Sequence, residues 1–295
     1  MNKIYGQGAG VVFSLAAFAT TLWAGNLPAT PPLAGAGGDW KLVWSDEFNQ
    51  PDGSRPDPAK WSFETGGNGW GNNELEYYTD RTNNAVIADG KLVIQAQPEK
   101  YGGKTITSAR LLTKNKGSWT YGRFEARIKI PRGQGIWPAF WMLGTDVASA
   151  GWPTCGEIDI MENIGKEPGK VHGTVHGPGY SGGDGIGGPF SLPDGATFAD
   201  DFHVYAVDCE SNVITWYVDN QPYFRVTPAS LPKGRAWVYN RPKFLLLNLA
   251  VGGGWPGYPD KTTTLPQQLV VDYVRVYTRA LPAEAPAPLS ARAAN

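Results

Sequence analysis

The sequence has no excess of charge of either sign: 26 Lys and Arg face 27 Asp and Glu, a formal net charge of −1 over 295 residues. Phosphate-binding surfaces normally show as a basic excess, so nucleic acid is not the expected partner. Charge is also scarce, at 18% against the roughly 25% usual for soluble domains. Cysteine is nearly missing. The two that occur, Cys155 and Cys209, lie far apart, and the sequence leaves open whether they pair. No segment carries an amphipathic helical pattern longer than a turn or two, which excludes a helical bundle. There is no internal repeat. The main apolar run, Val11 to Ala24, is shorter than the about 20 residues that a membrane span needs. What is abundant is glycine (38), proline (24) and aromatic side chains (12% of the chain, with 12 Trp). Short strands joined by turns fit that composition, but they do not by themselves call for so many tryptophans.

The N-terminus places Lys3 before the apolar run and small residues with prolines after it. This reads as a signal peptide over residues 1–24, with an uncleaved anchor as the open alternative. Residues 25–38 (GNLPATPPLAGAGG) read as a flexible linker, and 279–295 as an Ala/Pro tail without a core pattern. One domain is expected over 39–278. Its strand candidates are 41–48, 85–97, 118–130, 135–143, 156–164, 170–177, 202–210, 213–226, 243–252 and 269–279. In 118–130, Phe124, Ala126, Ile128 and Ile130 share one parity, and Arg123, Glu125, Arg127 and Lys129 share the other. The segment ITWYVDNQPYFRV predicts a hairpin turning at Asp219–Asn220. The fold class expected from this is all-β, a sandwich of two antiparallel sheets.

The chemistry concentrates in Gly156-Glu157-Ile158-Asp159-Ile160-Met161-Glu162-Asn163. On a strand, Glu157 and Asp159 point to one face and Ile158 and Ile160 to the other. Strict alternation would put Glu162 in the core, where an unpaired carboxylate costs several kcal/mol. A β-bulge near Ile160–Met161 brings it back beside the other two acids. Three carboxylates on one groove wall suit glycoside hydrolysis with retention, which needs a nucleophile and an acid/base about 5–5.5 Å apart. A solvated acidic face and a Ca²⁺ site remain open as other readings of the same three acids.

EIDIME resembles the signature of glycoside hydrolase family 16, and its six-residue form is similar to the laminarinase-type branch. WSDEFN (44–49), WGNNELEYYT (70–79), YGRFEARIKIP (121–131), GQGIWPAFWMLG (133–144), HGTVHG (172–177), NLAVGGGWPG (248–257) and VDYVRVY (271–277) resemble the family as well. The resemblance implies a β-jelly-roll sandwich with a concave substrate groove. It implies Glu157 as nucleophile, Asp159 as its assisting acid, Glu162 as general acid/base and His176 lining the site. Trp137, Trp141 and Trp255 become sugar platforms, since sugar C–H faces stack on indole. Taken alone, Trp141 and Trp216 read as sandwich core. Asn73, Glu74 and Arg110 match sugar-binding positions, Arg110 also reading as a structural ion-pair partner, and Gln267 is a further candidate. No cofactor is implied for catalysis. A structural Ca²⁺ is implied at Asp272, with backbone oxygens near Glu47 and Gly90.

The expected function is a secreted or periplasmic endo-β-1,3-glucanase acting on laminarin-like or mixed-linkage β-glucans by double displacement. Its partner is the glucan, with no membrane contact after signal removal, and the chain is expected to act as a monomer. Other family specificities (lichenase, galactan hydrolase, transglycosylase) and a non-catalytic β-glucan-binding protein are the alternatives. Loops decide among these.

Overall fold

The computed structural model describes residues 40–279. The signal peptide and linker expected over 1–38 lie outside the described residues, as does the tail beyond Arg279. Arg279 itself, assigned to the tail from sequence, is the last residue of a strand and pairs with Trp40.

In chain order the strands begin β1 (Trp40–Asp46), β2 (Ser62–Glu64), β3 (Tyr77–Tyr78), β4 (Ala85–Ala88), β5 (Lys91–Tyr101) and β6 (Lys104–Ser108). They continue with β7 (Arg110–Leu112), β8 (Gly122–Lys129), β9 (Ile136–Gly144), β10 (Glu157–Glu162), β11 (Lys170–His176) and β12 (Ile186–Ser191). The remainder are β13 (His203–Glu210), β14 (Val213–Val218), β15 (Gln221–Val226), β16 (Lys243–Val251) and β17 (Gln267–Arg279). Among the described residues, the α-helix is a single turn at Val147–Ala150.

Ten strands form one sheet in the order β15-β14-β13-β8-β17-β5-β6-β3, with β1 also on β17 and β4 on β5. Seven form the other, β12-β11-β10-β9-β16-β7-β2. The ladders are antiparallel apart from β3–β6. Phe124, Ala126 and Ile128 of β8 meet Ile158 of β10, Val175 of β11 and Leu245 and Leu247 of β16 in one fully buried cluster between the sheets. The protein is therefore the all-β jelly-roll sandwich that its sequence predicts.

Each expected strand run contains a strand. The run 85–97 divides into β4 and β5 at Asp89–Gly90, where both residues take positive φ (50° and 65°), the backbone of a two-residue hairpin turn. Asp219–Asn220 makes the same turn (φ 50° and 65°) between β14 and β15, as predicted. The strands not foreseen are short or carry little alternation. β12, with sequence IGGPFS, is an edge strand, which is where a sheet tolerates proline. One polar stripe also behaves differently. Arg123 and Glu125 of β8 are buried, satisfied by each other at 2.9 Å and by Arg123–Asp208 at 3.1 Å.

The site depends on the outward face of the seven-stranded sheet. On β9, Ile136, Phe140 and Met142 enter the core, so Trp137, Ala139 and Trp141 face out. On β11, Val171 and Val175 point in, so His172, Thr174 and His176 face out beside them. β10 lies between these two strands.

Candidate active site

Glu157, Ile158 and Asp159 pair with Leu143, Met142 and Trp141 of β9 in steady register. The register then slips by one residue, so that Met161 pairs with Phe140 and Glu162 with Ala139. The β11 side shows the same slip, from Asp159↔Thr174 to Glu162↔His172. This is the expected bulge. Ile158, Ile160 and Met161 are all buried in the core, each worth about 1.5–3 kcal/mol when fully removed from water. An alternation that exposed Met161 and buried the Glu162 charge would forfeit one such term and add a larger cost. The bulge therefore follows from the residues, and it sets Glu157, Asp159 and Glu162 on the outward face.

Each acid has its own surroundings. Glu157 accepts a hydrogen bond from Trp152 Nε1 at 3.0 Å and stands 3.7 Å from His176 Nε2. Asp159 is 3% exposed. Its Oδ2 lies 3.1 Å from His176 Nε2, within ion-pair distance, but the angles are not those of a hydrogen bond and Oδ2 has no donor. Beneath it, Trp216 Nε1 donates to the Asp159 backbone oxygen at 2.8 Å, so this core tryptophan holds the middle of the acid strand. Glu162 accepts from Trp137 Nε1 at 3.0 Å. Loss of water pushes all three carboxyls up to about 8. For Glu157 and Glu162 the charge of Asp159 adds to that, while His176 and the indole N–H donors oppose it. The three titrate as one coupled cluster that stays partly protonated at neutral pH.

Aromatic side chains wall the row of acids. Trp255 is 41% exposed and stands edge-on to Trp137 (5.7 Å between ring centroids) and to His172 (5.2 Å). Its loop turns through Gly252 at φ 77°, where a Cβ would come within 2.7 Å of Leu75. Trp152 lies 6.2 Å from His176 at the Glu157 end. Trp141 is half-buried and donates through Nε1 to Asn248 Oδ1 at 2.7 Å. A row of desolvated acids flanked by indoles can protonate, attack and stack against a neutral sugar chain.

The family model Glycosyl hydrolases family 16 matches residues 70–275. The chain belongs to that family. It is 48% identical to a β-glucanase of Rhodothermus marinus over 248 residues, 81% of this chain and 85% of the relative. Its structure is similar to the laminarinase catalytic domain of Thermotoga maritima MSB8, with TM-score 0.78 and 49% identity over 82% of this chain and all of that one. The endo-β-1,3-glucanase of Pyrococcus furiosus gives TM-score 0.79 and 48% identity, covering 83% and 97%. The protein is thus a family 16 glycoside hydrolase.

Several residues expected to contact sugar are placed differently in this family 16 chain. Glu74 is 4% exposed, and its two carboxylate oxygens accept from Asn72 Nδ2 and the Tyr78 hydroxyl, both at 3.0 Å. It lies behind the groove wall, because satisfying a buried carboxylate took both oxygens. Gln267 opens β17 and bonds Arg132 N and Thr264, tying two loops together rather than facing the acids. Arg110 is an ion-pair partner, as its structural reading has it. It pairs with Glu64 at 2.6 Å, and its guanidinium lies 4.8 Å from the ring centroids of Trp70 and Trp141. Asn73 is exposed in the loop before Glu74 at φ 62°.

Four site residues were not read from the sequence. His172 shares parity with His176 and pairs with Glu162 in register, so parity along β11 was a usable signal. Asn248 is the one polar residue inside the apolar run FLLLNLAV, a signal of the same kind. Trp152 and Trp70 come from irregular segments, where no periodicity marks a side chain.

Of the residues named for calcium, Asp272, the one side-chain ligand in the set, has its carboxylate held by Arg127 Nη1 at 2.7 Å, and Gly90 sits in the β4–β5 turn. Glu157, Asp159 and His176 offer ligand atoms within 4.8 Å of one another. Cys155 and Cys209 are both buried thiols and are not bonded.

Proposed function

We propose that this chain is an exported endo-β-1,3-glucanase that hydrolyses laminarin-like β-glucans with retention of anomeric configuration. The observation that carries this reading is the pair Glu157 and Glu162 brought to one face of β10 by the bulge, each with an indole donor. The β-glucanase, laminarinase and endo-β-1,3-glucanase to which the chain is similar support the linkage. The apolar run from Val11 to Ala24 supports export.

In this reading Glu157 attacks the anomeric carbon. As nucleophile it acts in its ionised form, which the Trp152 N–H and the nearby His176 ring favour. Glu162, whose carboxyl burial pushes up to about 8, gives its proton to the departing glycosidic oxygen. A glucosyl ester of Glu157 forms as the C1–O bond breaks. Water then attacks C1 from the vacated side, Glu162 takes its proton, and Glu157 leaves as carboxylate. Asp159 Oδ2, without a donor in the free protein, is placed to share a proton with Glu157 as that charge changes.

Purified protein incubated with laminarin, lichenan and agarose tests the linkage, with laminarin expected to be cleaved to oligosaccharides. No cleavage of laminarin would overturn the assignment. The Glu157→Gln protein should lose hydrolysis, by roughly four orders of magnitude or more for a lost nucleophile, while still binding laminari-oligosaccharides. Proton NMR of the first product should show the β-anomer, and an α-anomer would exclude double displacement.

A further inference from the structure

The segment from Asn72 to Tyr78 buries two carboxyl groups next to each other, and only one of them has its hydrogen bonds accounted for. Glu74 uses both oxygens as acceptors, for Asn72 Nδ2 and Tyr78 OH. Glu76 is completely buried. Its Oε2 accepts the backbone N–H of Val251 at 2.7 Å, its Oε1 has no donor, and its carboxyl is in hydrogen-bond contact with that of Glu74. Two touching buried carboxylates cannot both stay ionised, and a proton on Glu76 Oε1 supplies the missing donor. Other groups near the pair leave the proton there. Lys104 Nζ is spent on the Glu74 backbone oxygen (3.3 Å), and Arg110 is paired with Glu64. Burial and the Glu74 charge both push Glu76 well above the usual carboxylate range.

This pair lies where two parts of the groove wall are fixed. From Glu74, bonds run through Tyr78 OH to Asn248 Nδ2 (3.2 Å), and from Asn248 Oδ1 to the indole N–H of Trp141 (2.7 Å). From Glu76 and its neighbours, bonds reach the start of the Trp255 loop: Val251 N to Glu76 Oε2, Leu75 N to Val251 O, and Gly254 N to Asn72 O.

We propose that Glu76 is a positioning residue for glucan binding: held as a neutral carboxylic acid, it donates to Glu74 and accepts from Val251, and so locks the Trp141 indole and the Trp255 loop in place. The inference rests on the glucanase reading for its substrate but concerns residues that touch neither the substrate nor the acids of β10.

The test compares Glu76→Gln with Glu76→Leu in the full chain, using laminarin. Gln supplies an N–H for Glu74 and a carbonyl for Val251, so it should keep KM within about twofold of the parent. Leu removes both functions and leaves Glu74 facing an apolar group; KM should rise by roughly tenfold or more while kcat changes much less. Equal KM values for the two variants would overturn the proposal. Infrared spectroscopy gives a check that does not need the Leu variant to fold. The spectrum of the parent minus that of Glu76→Gln at pH 7 should contain a protonated-carboxyl C=O band. An ionised-carboxylate band in its place would also overturn the proposal. Failure of the parent to cleave laminarin would be a failure of the glucanase reading instead, and the infrared result would stand apart from it.

Discussion

Trp137 donates its indole N–H to Glu162 at 3.0 Å while its ring meets Trp255 at the rim, so one side chain touches both the acid and the exposed rim indole. A hydrogen bond to a carboxylate favours the ionised form and so pulls the pKa of Glu162 down, against the desolvation that carries it up to about 8. Activity that needs a protonated Glu162 should therefore be lost as pH rises through about 8. Trp137→Phe keeps an aromatic platform but removes the donor, so the pKa rises further and the alkaline limb of kcat/KM moves to higher pH. A pH–rate profile on laminarin measures this directly. A limb that stayed in place, or moved to lower pH, would show that another group controls it. Residue-level chemistry of this kind was partly legible in advance. The acids declare themselves by interrupting an apolar strand, whereas Glu74 looks like a ligand in sequence and proves to be a buried support. A short polar motif does not say which of its carboxyls water can reach.

At the scale of elements, β10 carries six residues where its neighbours provide five places, and the extra place falls at Ile160–Met161. Side-chain parity makes the consequence of changing that count calculable. Deleting Met161 gives EIDIE, a straight strand whose three acids again alternate onto the outward face. The deletion should keep measurable hydrolysis of laminarin, with stability lowered by about 2–4 kcal/mol for the lost buried side chain. Laminarin assays together with thermal melts of the deletion variant check this, and a folded but inactive variant would refute the parity argument. This bulge could be foreseen because burying Glu162 was too costly an alternative. The short strands β2, β3, β6 and β7 could not, since two to five residues give too few periods of alternation to separate a strand from a turn. Their pairing is set by distant partners such as β16 for β7, which no local window contains.

For the whole molecule, the near-zero net charge has a consequence for how substrate arrives. The charged residues largely neutralise one another: Arg123 with Glu125 and Asp208, Arg275 with Glu47, Arg127 with Asp272 and Arg110 with Glu64. The exposed part of the groove presents indole rings, among them the 41% exposed Trp255. On the proposed reading, a neutral glucan is held by stacking and hydrogen bonds, and no long-range field steers it. Raising ionic strength from about 0.01 to 1 M shortens the Debye length from about 30 to 3 Å, which suppresses steering wherever it exists. With laminarin, kcat/KM should change by less than about twofold over that range, because neither the substrate nor the net charge of −1 supplies a field to screen. Steady-state kinetics in a sodium chloride series, with the protein checked as folded at each point, makes the measurement. A steep fall with salt would mean that charge guides the substrate, and it would point to an anionic glycan in place of the neutral β-glucan.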